Sequence, residues 1–318
     1  MKTKIRYGII IPCFNENNTI IRFVSEVESV LNTIDESFEC IVVNDASTDD
    51  TLYMLKEYQA NFHSNRNKLT VLSLNYNVGH QGAIYQGLLY ASKRHFDYVI
   101  VMDGDGEDDP NVIRELIQVK GYDIVHVIRG KRSENLLFRT LYTFYKKLFK
   151  LITRKSMKIG NFGMINRKVV FNLVDSSFIH FAANLSKLKA SSAHIVADRR
   201  KRLGGSSKMN VESLVYHAFK SFVVYAEDLL MLFLKLFVIL AIGIFGLILY
   251  IIYQKLFTNN AILGWASTLT SSLFTTAMLS MGFFVLGVLL LNILQKNDLK
   301  QKEIYKIVDQ VNEPSVIE

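Results

Sequence analysis

Five carboxylates fall within seven positions of this chain: Asp103, Asp105, Glu107, Asp108 and Asp109, in "YVIVMDGDGEDDP". Like charges at this density repel, so a chain that keeps them together has something positive to place among them. Asp103 and Asp105 form a D-x-D pair directly after an apolar run, which sets two hard oxygen ligands on one turn. With phosphate oxygens and water they could complete an octahedral shell around Mg2+ or Mn2+. Acidic turns are common on protein surfaces; the buried strand ahead of this one singles it out. Asp45, in "VVNDAST", ends another apolar run, where a carboxylate could accept hydrogen bonds from a base or ribose. The competing duty is a helix cap for "STDDT", which Ser47 or Thr48 would perform better. No G-x-G-x-x-G follows the first strand and no G-x-x-x-x-G-K-[ST] occurs, which argues against nicotinamide, flavin or P-loop chemistry.

These residues need elements to hold them. "IRYGIII", "FECIVVND", "LTVLSLN", "FDYVIVMD" and "YDIVHVIRG" are apolar runs without polar alternation, and amphipathic stretches of ten to fifteen residues lie between them. That pattern predicts strands buried on both faces, in a doubly wound, mostly parallel α/β sheet. Ligands in such sheets sit beyond the carboxyl ends of the strands. The polar clusters fall there: "PCFNEN", "NDAST", "NYNVGHQG", "DGDGEDDP" and "RGKRSEN" follow the five strands in turn. One pocket would collect them all.

The C-terminal third is different. Residues 229–253 carry one charge, Lys235, and residues 269–294 carry none. Each run exceeds the roughly 20 residues that cross a bilayer, so two transmembrane helices are expected. Lysines crowd the 295–318 tail and the N-terminal part while the 254–268 connection carries only Lys255, which puts both ends on the cytoplasmic side. Between Arg129 and Lys168 there are twelve Lys or Arg against one acid, Glu134. In a membrane-anchored chain, anionic headgroups are a nearer partner for that stretch than nucleic acid. Residues 136–152 read as a basic amphipathic helix, either in the headgroup plane or part of the core. Residues 210–228 read as a juxtamembrane helix. Ser272, Thr276 and Ser280 make a stripe of small polar residues suited to contact with the first span or with a second subunit. Cys13 and Cys40 lie in predicted strands and are expected to be buried thiols.

"IPCFNEN", "VVNDASTDDT", "NVGHQGAIYQGL", "MDGDGEDDP", "IGNFGMINRKVV" and "RRKRLGGSSKM", in this order and ahead of two apolar helices, resemble the family 2 inverting glycosyltransferases of the GT-A fold. Within them the likeness is to the polyprenyl-phosphate (bactoprenol or dolichyl) glycosyltransferases. The resemblance implies a GT-A domain over residues 1–209 and transfer of a hexose such as glucose from a UDP-sugar to a polyprenyl phosphate. It implies that Pro12, Asn15, Glu16, Asp45, Asn75 and Gly79 hold the nucleotide sugar, and that Asp103 and Asp105 bind Mg2+ or Mn2+ at the diphosphate. Asp108, Arg129 and Arg132 match residues near the reacting groups, and Arg199, Arg202, Ser206 and Lys208 belong to a segment that meets the donor or acceptor phosphates.

Two departures stand out. Relatives often carry Asp where this chain has Asn161, and an amide cannot take a proton. A lipid phosphate needs no base, because its second pKa is roughly 6. A hydroxyl acceptor would need one, with Asp108 the candidate, and a non-catalytic binding protein of the same fold is the remaining alternative. The second departure is "EDDP", whose extra acids Glu107 and Asp109 the resemblance does not explain.

Overall fold

The computed structural model describes residues 4–62, 64, 66–129, 159–176, 178, 180–204, 224–257, 264–296 and 303–308. The sheet begins with β1 (Arg6–Cys13), β2 (Ser37–Asn44), β3 (Lys68–Leu74) and β4 (Tyr98–Val101), separated by α1 (Ile20–Leu31), α2 (Thr51–Ala60) and α3 (Gly79–Ser92). It continues through α4 (Val112–Leu116), β5 (Ile124–Arg129), β6 (Ile159–Asn166), α5 (Arg167–Ser176), α6 (Phe181–Lys187) and β7 (Ser192–Ala197). Two long helices follow, α7 (Ala226–Phe257) and α8 (Trp265–Lys296), and then a last strand, β8 (Tyr305–Ile307).

The eight strands run in the order β7-β5-β6-β4-β1-β2-β3-β8. β1 pairs in parallel with β2 and β4, β2 with β3, and β5 with β7, whereas β6 is antiparallel to both β4 and β5. Both faces of β1 are covered, as its unbroken apolar run requires. Ile9 and Ile11 pack with α1, α2 and α4, and Ile10 packs with α3, because successive side chains leave a strand on opposite faces. Gly87 lets α3 settle on β1: a Cβ there would lie 2.6 Å from the Ile10 side chain.

The chain divides into two compact units, with the sheet and its helices in one and α7 and α8 in the other. α7 and α8 contain apolar stretches of 25 and 24 residues, 230–254 and 267–290, long enough to cross a membrane. Little of either stretch is buried in the structure, whereas the core helix of a soluble domain is mostly buried. They overlap the apolar runs 229–253 and 269–294 of the sequence. Within the hairpin the Ser280 hydroxyl donates to the Phe233 carbonyl at 2.8 Å, so this member of the small polar stripe meets the first span. Gly287 faces Leu230 at a distance that would admit no Cβ. The helix expected at 136–152, and residues 210–223 of the juxtamembrane helix, lie outside the described residues.

Candidate active site

The loops after β1 and β2 meet first. Asn15 and Ala46, both with φ of 52°, are the non-glycine residues in left-handed backbone among those described. Such geometry persists only where neighbours enforce it. The Asn15 amide N–H donates to Ser47 Oγ at 3.0 Å, and Asn15 Oδ1 accepts the Thr48 N–H at 2.8 Å. Ser47 and Thr48 therefore brace the β1 loop, and α2 starts later, with Asp49 Oδ1 accepting the Thr51 N–H at 3.0 Å. The two residues favoured as helix caps on sequence do a different job. Pro12 is buried in register with Val43, and Glu16 both opens α1, its carbonyl accepting from Thr19 and Ile20, and holds the Thr19 hydroxyl at 2.7 Å.

Asp45 is 2% exposed and accepts the Val78 N–H at 2.8 Å, while Asn77 Nδ2 donates to its carbonyl at 3.2 Å. Burial pushes its carboxyl above the usual aspartate value, against the backbone N–H groups of Val78 and Gly79 that favour the charge. Gly79 takes φ of +77° to begin α3 and donates to Asn77 Oδ1 at 3.1 Å. Asn75 donates its N–H to the Ile304 carbonyl at 2.8 Å. The third loop is thus tied at Asn75 and again at Asp45.

The acidic turn follows β4 and lies against the end of β1, where a Cβ on Gly104 would come within 2.7 Å of the Pro12 carbonyl. Its charges are matched by the 198–204 segment. Arg199 Nη2 meets Asp103 Oδ2 at 2.9 Å and Arg202 Nη2 meets Asp105 Oδ2 at 2.7 Å. Arg199 also pairs with Glu107, and Arg202 Nε lies 3.8 Å from the same carboxylate. The backbone joins in, with the Arg200 N–H donating to the Glu107 carbonyl at 2.9 Å. Gly106, at φ +79°, lets Leu203 approach so closely that a Cβ would lie 2.5 Å from it. Burial would lower both guanidinium pKa values, but the surrounding carboxylates raise them above the ordinary arginine value. Glu107, unexplained on sequence, is where the basic segment docks.

Asp108 is 4% exposed, accepts the Asp103 N–H at 2.9 Å and lies 3.7 Å from Arg199 Nε. It braces the turn from inside. Asn161, on β6, faces α3: its Nδ2 is 3.0 Å from His80 Nε2, and its Oδ1 accepts from Gln81 Nε2 at 3.5 Å. His80 Nε2 is also 3.1 Å from Asp103 Oδ1. Burial would push this imidazole down, but the bond to Asp103 and the charges of Asp105 and Asp108 hold it above the usual histidine value. His80 thus links the D-x-D turn to Asn161. Sequence reading passed it over, although a histidine between glycines after a buried strand was its signal.

Arg129 ends β5 at the same end of the sheet. Arg132, Ser206 and Lys208 lie outside the described residues. No group of three or more His, Cys, Asp or Glu forms a ready-made metal cage among the described residues. The Asp103 and Asp105 pair has the donor set that Mg2+ or Mn2+ uses when phosphate oxygens and water supply the rest. The carboxylates already hold cationic groups, so their chemistry fits a cation.

The profile described as Glycosyl transferase family 2 matches residues 8–174, more than half of the chain. The chain belongs to glycosyl transferase family 2. This family 2 enzyme is 26% identical over 289 residues to the "Uncharacterized glycosyltransferase YkcC" of Bacillus subtilis, covering 88% of this chain and 86% of that protein. It is 28% identical over 280 residues to YkoT of the same organism, with 84% and 81% covered. Among solved structures it is similar to mannosyl-3-phosphoglycerate synthase from Rubrobacter xylanophilus, with TM-score 0.53, 17% identity and 71% and 74% of the two chains covered. Glucosyl-3-phosphoglycerate synthase from Mycobacterium tuberculosis, in complex with Mn2+, UDP-glucose and phosphoglyceric acid, gives TM-score 0.50 at 16% identity, with 70% and 79% covered. At these identities the likeness is one of fold, and the fold is GT-A. The family 2 chain is a glycosyltransferase.

Proposed function

We propose that this glycosyltransferase moves a hexose from a UDP-sugar to a polyprenyl phosphate at the cytoplasmic face of a membrane, with inversion at the anomeric carbon. The observation that carries the reading is the meeting of Asp103 and Asp105 with Arg199 and Arg202, in a chain that also has two helices long enough to cross a bilayer. A diphosphate donor and a phosphate acceptor repel each other, and guanidinium groups that can turn from carboxylate to phosphate oxygens offset that repulsion. Asp103 and Asp105 would hold Mg2+ or Mn2+, which when bound stabilises negative charge on the leaving diphosphate. An acceptor phosphate oxygen forms the new bond to the anomeric carbon as the bond to the UDP oxygen breaks, and UDP leaves with the electron pair. In this reading Pro12, Asn15, Glu16 and Asp45 hold the nucleoside, and Asn75 and Gly79 belong to the loop that fixes Asp45.

Two residues support this acceptor class. Asp108 is buried behind the turn and Asn161 cannot take a proton, which favours an acceptor already ionised at neutral pH. β8 supports the membrane topology, since it follows both apolar helices yet pairs with β3 of the catalytic sheet. A chain that leaves that sheet and returns to it crosses a bilayer an even number of times.

Purified protein incubated with radiolabelled nucleotide sugars, Mg2+ or Mn2+ and undecaprenyl phosphate tests this. Label in a mild-acid-labile lipid is the expected result. Label only in a saccharide would move the acceptor to a hydroxyl, and no label in any lipid with any donor would overturn the reading.

A further inference from the structure

The third loop of the candidate site is tied to a segment far away in the sequence. β8 pairs antiparallel with β3, matching Leu72 with Ile307, Ser73 with Lys306 and Leu74 with Tyr305. The ladder reaches one step further at each end, as the Val308 N–H donates to the Val71 carbonyl at 2.9 Å and the Asn75 N–H to the Ile304 carbonyl at 2.8 Å. Antiparallel pairs alternate between bonded and non-bonded, so Ser73 and Lys306 form the bonded pair between those two.

The sheet has partners ready for this segment on both faces. Gln59, on α2 and buried, donates from Nε2 to the carbonyls of Leu69 and Val308 at 3.3 Å each. Gln86, on α3 and buried, accepts the Ile304 N–H at Oε1 at 3.3 Å. Lys93 pairs with Glu303, and the Tyr305 ring meets Tyr90 edge-on, with centroids 6.1 Å apart. Buried amides in a sheet-covering helix are costly unless they are bonded, and these two are bonded to the returning segment. The Asn75 anchor is the stem of the loop whose Asn77 and Val78 hold Asp45.

We propose that residues 303–308 are a working part of the donor site and position the 75–79 loop through Ile304. The reading rests on the nucleotide-sugar assignment above. Holding Asn75 restricts the loop before a nucleotide arrives, so less ordering remains to be done on binding. Freeing the tail leaves the same residues present but their geometry unfixed.

The test uses the full chain in detergent micelles, with Mn2+ and UDP as the probe. Lys306→Pro removes a ladder donor and should release the segment. Amides of 303–308 and of Asn75–Gly79 should then exchange faster with deuterium while those of β1 keep their protection, and the Kd for UDP should rise about three- to tenfold, the worth of one such anchor. Gln86→Leu should move both readouts the same way by less, and stands alone if the proline variant does not fold. A tail that exchanges freely with the 75–79 amides unchanged would overturn the positioning, as would a loosened loop with an unchanged Kd. Failure of the unaltered chain to bind UDP with Mn2+ would overturn the donor assignment instead, and the exchange data would still decide the mechanical claim.

Discussion

Two sets of carboxylates stand at the ends of the two strands that flank β1 and are handled in opposite ways. Asp45, after β2, is buried and held by a neutral backbone donor, so burial raises its pKa. Asp103 and Asp105, after β4, are held by guanidinium groups from a segment almost a hundred residues later in the chain. A carboxylate bonded to backbone N–H groups is a fixed acceptor; one bonded to side-chain cations can exchange one cation for another. The first suits recognition of a neutral nucleoside, and the second suits a site where charge arrives and leaves.

The contrast can be broken by substitution, starting with the largest effect. Asp103→Ala and Asp105→Ala should each lower sugar transfer by roughly a thousandfold, the scale seen when a group stabilising transition-state charge is removed, and wild-type rates in both would remove them from the chemistry. Arg199→Ala should lower transfer by roughly a hundredfold and also cost about 1 kcal/mol of stability, because the half-buried carboxylates of Asp103 and Glu107 lose their partner; a melting curve beside the rate assay reads both. Glu107→Ala should act through the arginines, lowering transfer about tenfold, with Glu107→Gln recovering part of the loss if positioning is the role.

Asp45 sharpens the comparison through pH. Its folded-state pKa is raised, so its contribution to stability is fully present below the ordinary aspartate value of roughly 3.9 and is lost as pH rises through the folded value. Relative to Asp45→Asn, the unaltered protein should therefore gain stability as pH is lowered from 7 toward 4. A difference in Tm that stays flat over that range would show Asp45 to be no more burdened by burial than a surface acid. The same variant should weaken UDP binding about threefold, the smallest functional effect of the series.

Much of the catalytic sheet was legible because burial on both faces leaves a plain mark. β1 to β5 follow from apolar runs, and the loops that end β1, β2 and β4 carry Asn15, Asp45, Asp103 and Asp105. β6, inserted between β4 and β5, was not legible, because two glycines and two asparagines break up the apolar residues of "IGNFGMIN", which was read only as part of a family motif. β8 was missed for a different reason: a three-residue edge strand has no period to detect. Glu107 and His80 were not found because their roles depend on Arg199 and Asn161, which approach them only in the folded chain. Ser47 and Thr48 were read as caps from local propensity, and a tertiary partner, Asn15, claimed them instead.

The late return of β8 also bears on how the protein is made. β3 ends at Leu74 and its partner strand begins at Tyr305, 231 residues later (305 − 74). At synthesis rates of about 5–20 residues per second, the β3 edge emerges roughly ten to fifty seconds before the strand that covers it. For that interval the nascent chain carries an open strand edge while its apolar helices are still being made, so a ribosome that stalls in the hairpin leaves a product ready to pair with the wrong neighbour.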